Sequence, residues 1–166
     1  MATTIDQATG KAVARRTALL DLGLLVLRVT VGVVFILHGW QKFNDQGVAA
    51  VTQMLTGFAI PYPEVAAYLL IALEMVGGLF LMIGLLVRVL GLLFLVDMAG
   101  AFWFVHYSKG FFAAGGGYEL VLVLGAVALM LVCTGGGRFG IDGAYAGRRR
   151  ARVQDRVDAP ELEPAY

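Results

Sequence analysis

The chain has 166 residues, 59% hydrophobic and 15% charged, with a mean hydropathy of +0.78 and a formal net charge of +1. That composition excludes an ordinary soluble domain and points to an integral membrane protein. A single cysteine, Cys133, excludes an intramolecular disulfide and a CxxC redox motif.

Residues 1–16 are polar and rich in small side chains, and are expected to form a mobile cytoplasmic tail on the membrane surface. They are too polar for a cleaved signal peptide, and the apolar run that follows lacks a small-residue cleavage site. The first span is predicted from about Thr17 to Gly39, long enough at ~1.5 Å per residue to cross a ~30 Å hydrocarbon core. On it Arg28, Gly32, Phe35, Gly39 and Lys42 fall within roughly 40° of one helical stripe. Glycines let a neighbouring helix approach closely and a buried arginine needs a polar partner, so this stripe should face the inside of a bundle.

Asn44 to Pro63 interrupts the spans. Val48, Val51, Leu55 and Phe58 form a short apolar stripe with Thr52, Gln53 and Thr56 opposite, as in an amphipathic helix lying at the interface. Pro61-Tyr62-Pro63 then turns the chain. The second span is predicted over about Glu64 to Gly84 and the third over about Arg88 to Tyr107, divided at the sequence Gly84-Leu85-Leu86-Val87-Arg88. Ser108 to Gly117 reads as a loop, and Tyr118 to Thr134 as a short fourth span ended by Gly135-Gly136-Gly137. The predicted fold class is therefore an all-α integral membrane bundle of four transmembrane helices over residues 17–137. Residues 138–166 form a basic, then acidic, cytoplasmic tail.

The bundle's orientation follows from charge. With four spans, the two tails and the Arg88 turn share one side and hold ten of the thirteen Lys and Arg residues, against Lys42 and Lys109 on the other. That bias predicts cytoplasmic termini. Trp40, Tyr62, Trp103, Tyr107 and Tyr118 gather at the outer ends, as an interfacial aromatic belt does.

Arg28, Glu74 and Asp97 each lie near the middle of their predicted spans. A lone charge at the bilayer centre costs at least ~2.5–3.5 kcal/mol, so one shared cluster is favoured over three lipid-facing charges. The expected pairing is Arg28 with Glu74, with Asp97 close by as a surplus carboxylate. Gly77 and Gly78 beside Glu74, like Gly32 and Gly39, are predicted helix-packing positions. The cluster can serve as an ion pair that merely sets helix register, or as a proton or ligand site.

His38 sits ~15 Å outward of Arg28 by helical rise, where an interfacial histidine is ordinary, and Lys42 can snorkel to headgroups. His38, Lys42 and Glu119 together make a candidate outer-face polar site, although Glu119 is also suited to complement a helix dipole. His106 falls opposite Asp97 on an ideal helix, which disfavours a His38/His106 haem pair, and no metal site is expected. Arg148-Arg149-Arg150 is read as a topology anchor with attraction to anionic lipid, not as a nucleic-acid patch.

Leu27-Arg28, Gly32, Phe35, His38-Gly39 and Lys42 resemble the first-helix signature of the DoxX family of small bacterial membrane proteins. Further resemblance lies in Glu74 with Gly77-Gly78, Gly84 and Arg88, in Gly116-Gly117-Tyr118-Glu119-Leu120, and in Gly135-Gly136-Gly137-Arg138-Phe139-Gly140-Ile141-Asp142, which has a glycine where proline is common. The likeness covers about Leu22 to Asp142. It implies a subunit or anchor of a redox-linked complex in the bacterial cytoplasmic membrane, concerned with quinone, thiol or oxidative-stress chemistry. The partners it implies are superoxide dismutase, a sulfurtransferase or quinone oxidoreductase subunits, and a homo-oligomer is a further expectation. No cofactor motif is evident, so a self-contained enzyme is not expected; a quinone or lipid bound between helices is. The alternatives are a small proton-coupled transporter using Arg28, Glu74 and Asp97, and a structural membrane protein without a ligand.

Overall fold

The computed structural model describes the backbone of residues 2–157 and the side chains of residues 17–154. Among the described residues the protein is all helical, with no strand. Helix α1 is Ala2–Trp40, continued by a π-helical turn at Gln41–Gln46; α2 is Val48–Gly57. Helix α3 is Pro63–Ile83, with a π turn at Leu73–Gly77. Helix α4 is Val87–Lys109, with a π turn at Ala101–His106; α5 is Glu119–Thr134 and α6 is Ile141–Val157.

Among the described residues, three helices are long and apolar enough to cross a membrane: Thr17–Gln46, Pro63–Ile83 and Val87–Lys109. Helix α5 is apolar but has 16 residues, about 24 Å at the α-helical rise. Leu37, Leu69, Val96 and Val123, one on each of the four apolar helices, are all more than half exposed. Exposed apolar side chains on every one of these helices are unfavourable in water and natural against lipid chains. This is a membrane protein.

Two boundaries differ from the sequence expectation. Helix α1 begins at Ala2 instead of near Thr17: residues 2–16 hold no proline to stop it, and Ala, Lys and Arg prevail over residues 11–16. The expected basic tail is helical over Ile141–Val157. Between α3 and α4, Gly84 takes a left-handed conformation (φ 73°), its N–H reaches Leu81 O at 3.1 Å and the Leu85 N–H reaches Phe80 O at 2.9 Å. That is a Schellman cap, which satisfies carbonyls at the end of α3 and stops it.

Glycines set the packing. A Cβ on Gly32 would lie 2.6 Å from Gly78 O, and one on Gly78 would lie 2.8 Å from Gly32 O. One turn or two along, Gly39 faces Glu74 and Met75. Rising numbers on α1 meet falling numbers on α3, so these helices are antiparallel and nearly touch backbone to backbone. Helices α4 and α5 pair in the same sense, with Gly91 against Ala128 and Val132, and Gly125 against Met98. Phe35 and Phe94 stack at 3.7 Å and join α1 to α4 at the centre of the core, which also holds Leu81, Val87, Leu124 and Leu131. Helix α2 buries Val51 against Ala67 and Ile71 of α3.

The segment after α5 closes one end of the bundle. The Asp142 carboxylate accepts the backbone N–H groups of Leu86 (3.0 Å) and Val87 (2.9 Å), capping α4 from a distant part of the chain. The Asp142 N–H donates to Gly84 O at 3.0 Å, and Asp21 of α1 accepts the Arg138 N–H at 3.0 Å. At the bundle's other end α2 lies across the helices, packed on α3 and touching α4 through Phe58 and Phe104.

Candidate functional site

The predicted Arg28–Glu74 pair does not form. Glu74 is paired with Lys42, whose Nζ lies 2.7 Å from both carboxylate oxygens. The reason is the antiparallel register: Gly39, not Arg28, is level with Glu74. Arg28 is eleven residues before Gly39, about 16 Å along the axis, whereas Lys42 is one turn beyond it on the same stripe. The Glu74 side chain is 3% exposed and that of Lys42 is 20% exposed, so the pair faces inward and Lys42 does not snorkel.

Arg28 lies instead at the closed end, 1% exposed. Its guanidinium fills the space that side chains on Gly84 and Gly140 would take, with Gly136 beside it and the charge of Asp142 close by. The predicted cluster of Arg28, Glu74 and Asp97 is thus divided. Arg28 joins the closing segment, while Asp97 stays with Glu74 and feels the charges of both Glu74 and Lys42.

Lys42, Glu74 and Asp97 line a cavity of about 540 Å³ at the end of the bundle away from Arg28. His38 and His106 line it too, near enough to each other to interact electrostatically. Its walls are mostly apolar: Phe35 and Met98 below, Leu120 and Leu124 from α5, and Met54 and Phe58 from α2 above. Phe58 and Phe104 meet at 5.6 Å and tie α2 to α4 across this roof.

All three π turns among the described residues border the cavity. Gln41–Gln46 carries Lys42, Leu73–Gly77 carries Glu74, and Ala101–His106 carries His106. A π turn inserts an extra residue and changes the angular register of the helix, a device common at functional sites. It also corrects the expectation for His106. Ideal spacing puts this histidine opposite Asp97; the π turn between them brings both onto the cavity. His106 Nδ1 is 2.6 Å from Gly116 O, which orients the ring.

Glu119 is not among the cavity-lining residues. Its Oε1 accepts the Ala113 N–H at 2.6 Å and holds the loop before α5. The predicted outer-face set of His38, Lys42 and Glu119 therefore has two members on the cavity and one supporting its rim. Gly77 faces Leu90 and Phe94 of α4, unlike Gly32, Gly39 and Gly78, which line the α1–α3 seam. Among the described residues, no group of three or more His, Cys, Asp or Glu is arranged to hold a metal ion.

Asp97 Oδ2 is buried with no hydrogen-bond partner, and the cavity has the bidentate Lys42–Glu74 pair on one side and the Asp97 carboxyl on another. Such a site suits a small molecule with a polar head and an apolar body.

The DoxX family profile matches residues 23–107. The chain is 33% identical over 119 residues to a Bacillus subtilis protein named "Putative oxidoreductase CatD", covering 72% of this chain and 83% of that one. It is 31% identical over 125 residues to an uncharacterized protein of Haemophilus influenzae, covering 74% of this chain and 90% of that one. No solved structure gives a significant match. The matched region contains Arg28, Lys42, Glu74, Asp97 and His106, and by profile and identity alike the chain belongs to the DoxX family.

Proposed function

We propose that this protein is a four-span subunit of a redox-linked complex in the bacterial cytoplasmic membrane, and that its cavity holds the head of a quinone-class lipid. The observation that carries the proposal is one cavity of about 540 Å³ combining apolar walls with the Lys42–Glu74 pair and Asp97. A quinone ring fits that size, and its polyprenyl tail would leave between apolar helices toward lipid. The redox assignment draws on the family and on the name of the B. subtilis relative. Cys133 is the sole thiol, so electrons would come from a partner. The family resemblance suggests a superoxide dismutase, a sulfurtransferase or a quinone oxidoreductase subunit.

Helix α5, short as it is, serves as the fourth crossing, with α2 at the outer interface. That arrangement returns the basic carboxyl-terminal segment to the side of Arg88 and puts ten of thirteen Lys and Arg residues in the cytoplasm. The cavity then opens outward and Arg28 lies at the cytoplasmic end. A proton-coupled permease is the weaker alternative. It needs a path to both sides, and the stacked Phe35 and Phe94 rings with buried Leu81, Val87 and Leu131 fill the bundle below the cavity.

The test is lipid extraction from protein purified in mild detergent, with mass spectrometry of the bound quinones. Gly100 lines the cavity, and a Cβ there would meet nothing within 4 Å. Gly100→Leu should therefore fill the cavity without disturbing helix packing. Wild-type protein should carry near-stoichiometric quinone and Gly100→Leu should lose it. Equal traces in both would refute the proposal.

A further inference from the structure

Helix α2 roofs the cavity but belongs to a different packing unit from the bundle beneath it. Its buried Val51 sits on Ala67 and Ile71 of α3, in an apolar cluster separate from the core around Phe35 and Phe94. Toward α4 the roof is held by Phe58 against Phe104, with ring centroids 5.6 Å apart, and both residues line the cavity.

The backbone at both ends of α2 is unusual. Gly47, before it, has φ 81° and ψ 147°, a conformation that a side chain would strain. After it, the Ile60 N–H reaches Leu55 O at 3.1 Å and the Ala59 N–H reaches Thr56 O at 3.0 Å. These two bonds make a Schellman cap, whose left-handed position is usually glycine; here it is Ala59, at φ 55°. Three residues on, Tyr62 is also left-handed, at φ 52°, although it precedes Pro63, where extended backbone is preferred. Both residues are exposed, so no packing around their own side chains holds them there. What fixes them is the position of α2 over the cavity.

We propose that α2 is a lid that pivots where Val51 meets α3, and that the cavity is loaded through the seam between Phe58 and Phe104. Left-handed backbone is costly for a residue with a Cβ, so the closed position stores strain in Ala59 and Tyr62 that extension of the linker releases. The Phe58–Phe104 contact and the two cap hydrogen bonds offset that strain and keep the closed state dominant. The lid can open without disturbing the close approach of Gly32 to Gly78 that joins α1 to α3. Its action is independent of the quinone assignment: it admits whatever amphiphile the cavity holds.

The experiment uses full-length protein in lipid nanodiscs, carrying Cys133→Ser so that one introduced thiol reports. Gly100→Cys puts that thiol on the cavity wall, where a Cβ meets nothing within 4 Å. Gln53→Cys puts it on the exposed side of α2 as a reference. Labelling by N-ethylmaleimide is followed by intact-mass spectrometry. The cavity thiol should react fully but at least about tenfold more slowly than the reference, as for an open state populated at one part in ten or less. Adding Ala59→Gly, which relieves the strain of the closed position, should slow cavity labelling about fivefold and leave the reference unchanged. Adding Phe58→Ala should accelerate it about threefold, the share of one aromatic pair. A cavity thiol as reactive as the reference would mean an open cavity, and one that never reacts a roof that does not move; either overturns the lid. A rate unchanged or raised by Ala59→Gly would also overturn it, because entry through lipid-facing gaps between helices is indifferent to that linker. A rate lowered by Ala59→Gly but unmoved by Phe58→Ala would overturn the seam as the portal.

Discussion

Replacing Lys42 by methionine keeps an unbranched apolar stem of similar length and removes the cation that Glu74 faces. Glu74 would be left 3% exposed, next to Asp97, with its two 2.7 Å hydrogen bonds gone. Breaking a buried pair by removing one partner costs roughly 3–5 kcal/mol. Lys42 keeps 20% side-chain exposure, so water screens part of the interaction and about 3 kcal/mol is the appropriate expectation. For a chain of this size that corresponds to a fall in Tm of roughly 6–12 °C. Glu74→Gln should be milder, about 1–2 kcal/mol, because Lys42 can turn toward water or Asp97. The double variant should lose less than the sum of the singles, by at least about 1 kcal/mol, as interacting neighbours do. Thermal unfolding of the three variants in detergent measures this directly. Losses that add within about 0.5 kcal/mol would mean that the two residues do not interact. The matching cycle of Arg28→Leu with Glu74→Gln provides the contrast: about 16 Å apart by helical rise, these substitutions should be additive.

Gly32→Ala should destabilise the protein by about 1–3 kcal/mol, because its Cβ would meet Met82 and Gly78 O. Gly23→Ala, with nothing within 4 Å, should be neutral or stabilising by up to about 1 kcal/mol; thermal melts compare them. Asp142→Ala should cost about 0.5–2 kcal/mol, like other lost caps, and the amides of Leu86 and Val87 should exchange faster with deuterium while those in the middle of α4 do not. Reporter fusions after Arg150 and at Arg88 should report the cytoplasm, and those near Asp45 and Gly115 the exterior. An exterior reading after Arg150 would remove α5 from the set of crossings.

Membrane character, the helix boundaries near Pro63, Gly84 and Thr134, and the inward stripe of α1 were all legible in the sequence. They depend on local quantities: apolar run length, glycine and proline punctuation, and a repeat near 3.6 residues. Family membership was legible for the same reason, since its motifs are short and ordered along the chain. The sequence also marked Lys42, Glu74, Asp97 and His38 as polar groups in apolar surroundings. What it left open was which of them meet, because the register between α1 and α3 is decided by the approach of Gly32 to Gly78 and of Gly39 to Glu74 and Met75. A shift of about 16 Å separates an Arg28–Glu74 pair from the observed Lys42–Glu74 pair, and no periodicity in either helix encodes that offset. The π turns were equally hidden, since an inserted residue has no compositional signature, yet one of them returns His106 to the face of Asp97. Nor did spacing connect Asp142 to Leu86 and Val87, more than fifty residues away. Local chemistry determined the helices and the residues worth watching. Only packing between helices, a long-range property, decided that one arginine would close the bundle and that one lysine would line its cavity.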